Sequence, residues 1–230
     1  MRPHDWSGFA ALFAGVGAVV AFARGNPAWA LAWLAIAIAT GVLTRWWSVR
    51  RPAPMPHLLR WTLLVPRGNQ SPRHLARVLE PRPGERMLEI GPGIGIHAIP
   101  VAAALAPGGR LDVLDVQQAM LDDVVRRARD AGVANLTARH GDARALPYED
   151  ARFDAAYLVG VLGEIPDPQA TLRELRRVIK PGGRLVVGEV FFDPDFVRFG
   201  ALRTRAEDAA FAFERRLGGG LSYLACFRAC

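Results

Sequence analysis

The sequence predicts an α/β protein: a mostly parallel, doubly wound sheet of seven strands whose last two form an antiparallel hairpin, preceded by two transmembrane helices. Three observations carry that expectation. From residue 86 to residue 190, short apolar runs of strand length alternate with amphipathic runs of helix length. That order implies right-handed crossovers and a parallel sheet covered on both faces. After residue 209 the alternation stops, and two strand-like runs flank Gly218-Gly219-Gly220. Before residue 52, Trp6 to Ala23 (18 residues) and Gly25 to Thr44 (20 residues) pass without a charged side chain.

As helices these two spans reach roughly 27 and 30 Å, enough to cross a hydrocarbon core of about 30 Å. Arg24-Gly25-Asn26-Pro27 between them is a turn signal, so residues 1–51 are expected to form a membrane hairpin. Trp29, Trp33, Trp46 and Trp47 suit the interfaces, and Arg45, Arg50 and Arg51 supply a basic stop. The positive-inside rule puts residue 45 onward in the cytoplasm, so the expected location is the cell membrane with the globular part on the cytoplasmic face. Ala21-Phe22-Ala23 resembles a signal-peptidase site, but the region before it is weakly basic and a full second span follows. A buried soluble hairpin is the other alternative, because the first span is rich in Gly and Ala.

Residues 52–70 contain Pro52, Pro54, Pro56 and Pro66 and read as a linker. Within it, residues 57–65 could lie on a membrane surface as a short helix or pack on the globular part. The chain has 230 residues, 51% hydrophobic and 22% charged, with a net charge of +7. This composition excludes disordered, collagen-like and disulfide-scaffold classes. The charge is local. Residues 45–86 hold nine Arg against Glu80 and Glu85, a net +7, while residues 87–230 hold 18 basic and 19 acidic side chains. A basic patch beside the most apolar part of a chain points to a membrane surface. No helix-turn-helix or aromatic-basic pattern accompanies it, so no nucleic-acid partner is expected. Cys226 and Cys230 form neither a zinc site nor a staple framework, and no metal site is expected.

The third region, residues 71–230, opens on a helix from Ser71, the N-cap, with Pro72 at its first position. Strands are expected at 86–90, 111–115, 135–140, 153–159 and 184–190, then at 211–216 and 221–227. Helices are expected at 96–106, 117–131, 168–179 and 198–209. In such a sheet ligands bind at the carboxyl ends of the strands, where strand order reverses beside the first strand. The loops after Ile90, Asp115, His140 and Val159 are therefore the ones to inspect.

The first loop is Glu89-Ile90-Gly91-Pro92-Gly93-Ile94-Gly95. Glycines there let the backbone turn tightly and approach a ligand. A dinucleotide site needs the spacing G-x-G-x-x-G, but here Ile96 stands at the third position and Glu89 precedes the loop. A carboxylate beside the pocket would repel a pyrophosphate and favour a cationic ligand. His97, just beyond, is read as a surface or capping residue.

With its E-x-G-x-G-x-G loop, Leu114-Asp115-Val116, His140-Gly141-Asp142-Ala143, Phe153-Asp154-Ala155-Ala156-Tyr157 and Lys180-Pro181-Gly182-Gly183-Arg184-Leu185 in order, the chain resembles the class I S-adenosylmethionine-dependent methyltransferases. The resemblance covers roughly residues 71–227. It implies a Rossmann-like seven-stranded methyltransferase sheet and S-adenosylmethionine as cofactor. It also implies that Glu89, Gly91, Gly93 and Gly95 surround the methionyl part and that Asp115 accepts from the ribose hydroxyls. Val116 and Gln117 would lie beside the adenine, with Asp142 and the Ala143 amide on its edge.

Methyl transfer from a sulfonium is an in-line displacement, in which alignment and exclusion of water supply most of the rate. A base is needed only where the acceptor must lose a proton. The segment Val159-Gly160-Val161-Leu162-Gly163-Glu164-Ile165-Pro166-Asp167 occupies the rim where an acceptor lies and lacks the Asn/Asp-Pro-Pro-aromatic signature. It resembles the small-molecule, lipid and quinone branch, with Glu164 as the candidate base and an apolar or membrane-borne acceptor as the expected partner. The alternative class is a membrane-anchored Rossmann module that binds NAD(P) or acts without catalysis.

Overall fold

The structure, a computed structural model, describes residue 14 and residues 16–64 and 68–230. Residues 16–23 are helical, and Gly25, at φ +71°, turns the chain. Helix α1, Pro27–Arg50, follows; Asn26 caps it by accepting the Trp29 N–H at 3.4 Å, and Pro27 occupies its first turn. A Cβ on Gly17 would lie 2.9 Å from the Trp33 ring, so the two helical segments touch there.

Half of the first expected span, residues 6–13 and 15, lies outside the described residues. Among the described residues one helix, α1, is long and apolar enough to cross a membrane. That helix also runs beyond residue 44 to Arg50. Arginines are good helix formers, and their charge is favoured at a helix C-terminus, so the basic stop is the helix's last turn rather than its end.

The linker forms two short 3-10 segments, His57–Leu64 and Gly68–Gln70. Helix α2, Pro72–Leu79, starts where Ser71 accepts the His74 N–H at 3.3 Å, and it stops at Glu80, which adopts the left-handed conformation at φ 51°. The sheet then builds in chain order: β1 Arg86–Ile90, α3 Ala98–Leu105, β2 Arg110–Asp115, α4 Gln118–Asp130, β3 Leu136–His140 and β4 Phe153–Val159. It continues with a 3-10 turn at Leu162–Glu164, α5 Pro168–Val178, β5 Ile179–Val190, α6 Phe199–Asp208, β6 Phe211–Gly218 and β7 Ser222–Ala229.

Strand order is β3-β2-β1-β4-β5-β7-β6. The first five strands are parallel, and β7 runs antiparallel to β5 and β6. This is the expected architecture, with one difference: β5 starts at Ile179 instead of Arg184. Ile179 pairs with Phe153 and Arg184 with Ala155, so residues 180–183 bulge between two paired positions. Pro181 cannot donate to a ladder, and Gly182 takes φ +73°. A Pro-Gly-Gly run that reads as a break is instead accommodated inside the strand.

Strands β1, β2, β4 and β5 are almost wholly buried, as a sheet covered on both faces requires. One core layer joins Leu88, Ile90, Leu158, Leu172, Leu185 and Phe227. The other joins Leu75, Leu79, Met87, Val101, Leu111 and Val186. Edge strand β6 alternates exposed residues with buried Phe211 and half-buried positions after it. Strand β1 is flanked by β2 on one side and β4 on the other, so its carboxyl end is the point where strand order reverses.

Candidate active site

A cavity of about 1050 Å³ opens at the carboxyl ends of β1, β2, β4 and β5. This lies at the upper end of the range of roughly 300–1,000 Å³ that holds one drug-sized ligand. Its wall brings together Gly91, Gly93, Asp115, Val116, Gln117, Asp142, Ala143 and Glu164. Glu89 and Gly95 lie behind that wall.

The glycine loop follows directly on β1. Gly91 adopts φ +65° and donates its N–H to the Leu114 carbonyl at 2.9 Å. A Cβ there would come within 2.6 Å of Val161. Gly93, at φ +54°, leaves room for Leu63, whose Cδ1 would lie 2.7 Å from an added Cβ. Gly95, at φ +81°, starts the turn into α3 against Val124. Glu89 is 2% exposed and accepts the Tyr157 hydroxyl hydrogen at 2.8 Å. Burial pushes its pKa up to about 8, despite the Tyr157 bond that draws it down.

Asp115 ends β2 and accepts the Gln117 N–H at 2.8 Å. Burial raises it to about 6, while the amides of Gln117 and Val116 hold it lower. Asp142, after β3, is gripped by the Arg144 guanidinium through contacts of 2.6 and 3.0 Å, which hold its carboxyl below the usual carboxylate range. His97 bonds the Gln70 carbonyl at 2.7 Å, tying the second 3-10 segment to the start of α3.

The cavity wall also carries Glu164, Asp193 and Asp195. Glu164 projects from the turn after β4, and its Oε2 accepts the Met55 N–H at 3.1 Å. Burial raises its pKa well above the usual value, with the charges of Asp193 and Asp195 adding to the rise and the Met55 bond opposing it. Asp195 is pushed up to about 7 by burial and by Asp193, against Ser48 and Arg45. Thr44 and Ser48, on the last turns of α1, and Arg51, just beyond it, also line the cavity. The Arg45 guanidinium points at the carbonyls of Phe191, Asp193 and Phe196, each 3.4 Å away, and stacks over the rings of Phe191 and Phe196.

The roof is the strap of residues 53–63. Gln117 donates to the Met55 carbonyl at 2.9 Å, while His57 and Arg60 reach Asp123 on α4 at 2.9 and 3.1 Å. Asp123 also binds Arg126. Of the two expectations for this segment, the structure realises packing on the globular part and leaves Leu58, Trp61 and Leu64 exposed. Sequence reasoning missed Met55, Leu63, Arg144 and the Asp193-Pro194-Asp195 run. The last was within reach, since it follows β5 in the manner of the four loops that were singled out.

Comparison with known proteins is consistent with this geometry. Residues 88–187 match the protein family described as "Methyltransferase domain". An uncharacterized 37.1 kDa protein in transposon TN4556 of Streptomyces fradiae is 39% identical over 115 residues, covering 50% of this chain and 33% of its own length. A demethylmenaquinone methyltransferase from Bacillus cytotoxicus is 32% identical over 110 residues, covering 48% of this chain and 46% of its own. The chain thus spans less than half the length of these relatives. A crystal structure of a SAM-dependent methyltransferase from Aquifex aeolicus superposes with a TM-score of 0.70 at 18% identity, covering 77% of this chain and all of that one.

Proposed function

We propose that this chain, whose residues 88–187 match the family described as "Methyltransferase domain", is a class I, S-adenosylmethionine-dependent methyltransferase that acts on a small apolar acceptor of quinol type reached from a membrane. The observation that carries this reading is one cavity whose wall brings the glycine loop and Asp115 together with Glu164, with Gln117 and Glu164 bonded to the two sides of Met55. The residues fit the donor. Gly91 and Gly93 line the cavity with positive φ and no side chain, the adjoining carboxyl groups suit a cation, and the volume leaves space for a second ligand. Relatives named for demethylmenaquinone support the quinol class of acceptor.

S-adenosylmethionine supplies a methyl group on a sulfonium. The Gly91–Gly95 loop, with Glu89 beneath it, holds the methionyl part. Asp115 accepts from the ribose hydroxyls, Val116 and Gln117 cover the adenine, and Asp142 with the Ala143 amide lines its edge. The strap residues Met55 and Leu63 exclude water. Glu164 takes the proton from the acceptor as it becomes nucleophilic. Helix α1 anchors the chain in the cell membrane, and Arg45, Arg50 and Arg51 keep the catalytic domain on the cytoplasmic side.

Incubating the full chain with methyl-labelled donor and reduced lipid extract tests this reading. Label should enter the organic phase in a quinone-sized species one methyl group heavier. Label confined to water-soluble products would contradict an apolar acceptor.

A further inference from the structure

Large exposed apolar side chains on the globular part are concentrated in one place. Among the described residues beyond residue 50 they are Leu58, Trp61, Leu64, Val116, Val125, Phe191, Phe192 and Leu221. Trp61, Val116, Phe192 and Leu221 line the cavity itself. Leu58 and Leu64 share the strap's 3-10 segment with Trp61, and Phe191 adjoins Phe192. Val125, on α4, is the exception. Phe192 is 88% exposed and Leu221 64%, on loops that leave β5 and join β6 to β7. Apolar exposure gathered around one opening marks an interaction surface, whereas scattered exposure does not.

The surface adjoins α1. Thr44 and Ser48 line the cavity, while Val42 and Leu43, on the preceding turn, are 63% and 54% exposed. With a rise of about 1.5 Å per residue, hydrocarbon-compatible helix begins within roughly one turn of the cavity rim. Arg50 and Arg51 sit at the same level, stacked on Trp46 and Trp47 at 3.9 and 4.8 Å. Aromatic and cationic groups at that level match an anionic headgroup layer.

We propose that the rim formed by Leu58, Trp61, Phe192 and Leu221 docks on the bilayer surface beside α1, so that the cavity mouth opens directly into lipid. This rests on the membrane-anchored reading above and adds to it a contact face and an entry route. An amphipathic acceptor would then present its head to Glu164 without crossing water, its apolar tail remaining in the bilayer.

The test uses the full chain carrying Cys230→Ser, so that a single introduced thiol reacts; Cys226 is buried and its thiol is pushed up to about 11. Phe192→Cys, Leu221→Cys and Val125→Cys are each labelled with an environment-sensitive dye and reconstituted in anionic phosphatidylglycerol vesicles whose acyl chains are brominated near the headgroup. Leu58→Cys serves as a second rim position if a loop variant does not fold. Labels at 192 and 221 should lose roughly half their emission to bromine while the label at 125 keeps its own, because interfacial groups sit about 5–10 Å into the boundary. Equal quenching at all three positions, or none at 192 and 221, would overturn the proposal. So would shielding that depends on protein concentration and ignores bromine, which would mean that a second copy covers the rim. An unquenched rim on a chain that still methylates extracted lipid refutes the docking alone. A quenched rim on a chain that methylates nothing upholds the docking and refutes the acceptor reading.

Discussion

Glu89 places a carboxyl group in the core behind the glycine loop, bonded only to Tyr157 among the described residues. In an unfolded chain it ionises near 4.5; folded, burial moves that to about 8. The folded state therefore binds more protons than the unfolded state between those values, and stability falls as pH rises through them. Asp115 and Asp195, raised by burial to about 6 and 7, act in the same direction. Thermal melting should show the ligand-free protein losing stability from pH 5 to pH 8.5, and Glu89→Gln should flatten part of that slope. A slope identical in the variant would remove Glu89 from the account. Glu164→Gln keeps an oxygen for the Met55 amide but cannot take a proton, so turnover should drop by about 10²–10⁴ while affinity for S-adenosylhomocysteine is retained. Unchanged turnover would show that no base acts there. The glycine loop and Asp115 were legible because strand ends in parallel sheets are the expected places for ligands. Arg144 on Asp142, and Met55 on Glu164, were not. The first is a choice among many possible arginine partners, and the second joins residues 109 positions apart.

Most strands and helices could be read from their apolar periodicity, with ends displaced by only a few residues. The strap could not, because 3-10 turns between prolines have neither the helical period nor the strand period. Its position comes from side chains: Asp123 accepts from His57 and Arg60, and Gln117 donates to the Met55 carbonyl. Burial alone would raise the Asp123 pKa, but the bonds from His57 and Arg126 outweigh it and hold the carboxyl below its ordinary range. Charge-assisted bonds of this kind contribute about 1.5–3 kcal/mol. Asp123→Asn should therefore speed amide exchange in residues 55–64 roughly tenfold or more, with little change at β1 or β4. Uniform acceleration across the sheet would mean that Asp123 supports the whole fold and has no particular hold on the strap.

At the scale of the molecule, the mostly parallel sheet and its closing hairpin followed from the order of strand-like and helix-like runs, and the apolar helix from a run without charge. The basic stretch from residue 45 to residue 86 is spent partly on partners within the chain: Arg45 on the carbonyls of the β5 loop, Arg60 on Asp123, and Arg82 near Glu80 at the surface. A charge count cannot foresee such pairing. What the alternation also could not give is the junction between parts, since α1 ends on the cavity and its last turns form part of the wall.

Titrating the full chain in detergent with S-adenosylhomocysteine and with NAD, alongside Asp115→Ala, tests the donor site most directly. The account predicts saturable binding of the former, no heat from NAD, and at least a tenfold loss of affinity in the variant, about 1.4 kcal/mol. Binding of NAD without S-adenosylhomocysteine, or an Asp115→Ala protein that binds as the parent does, would contradict it.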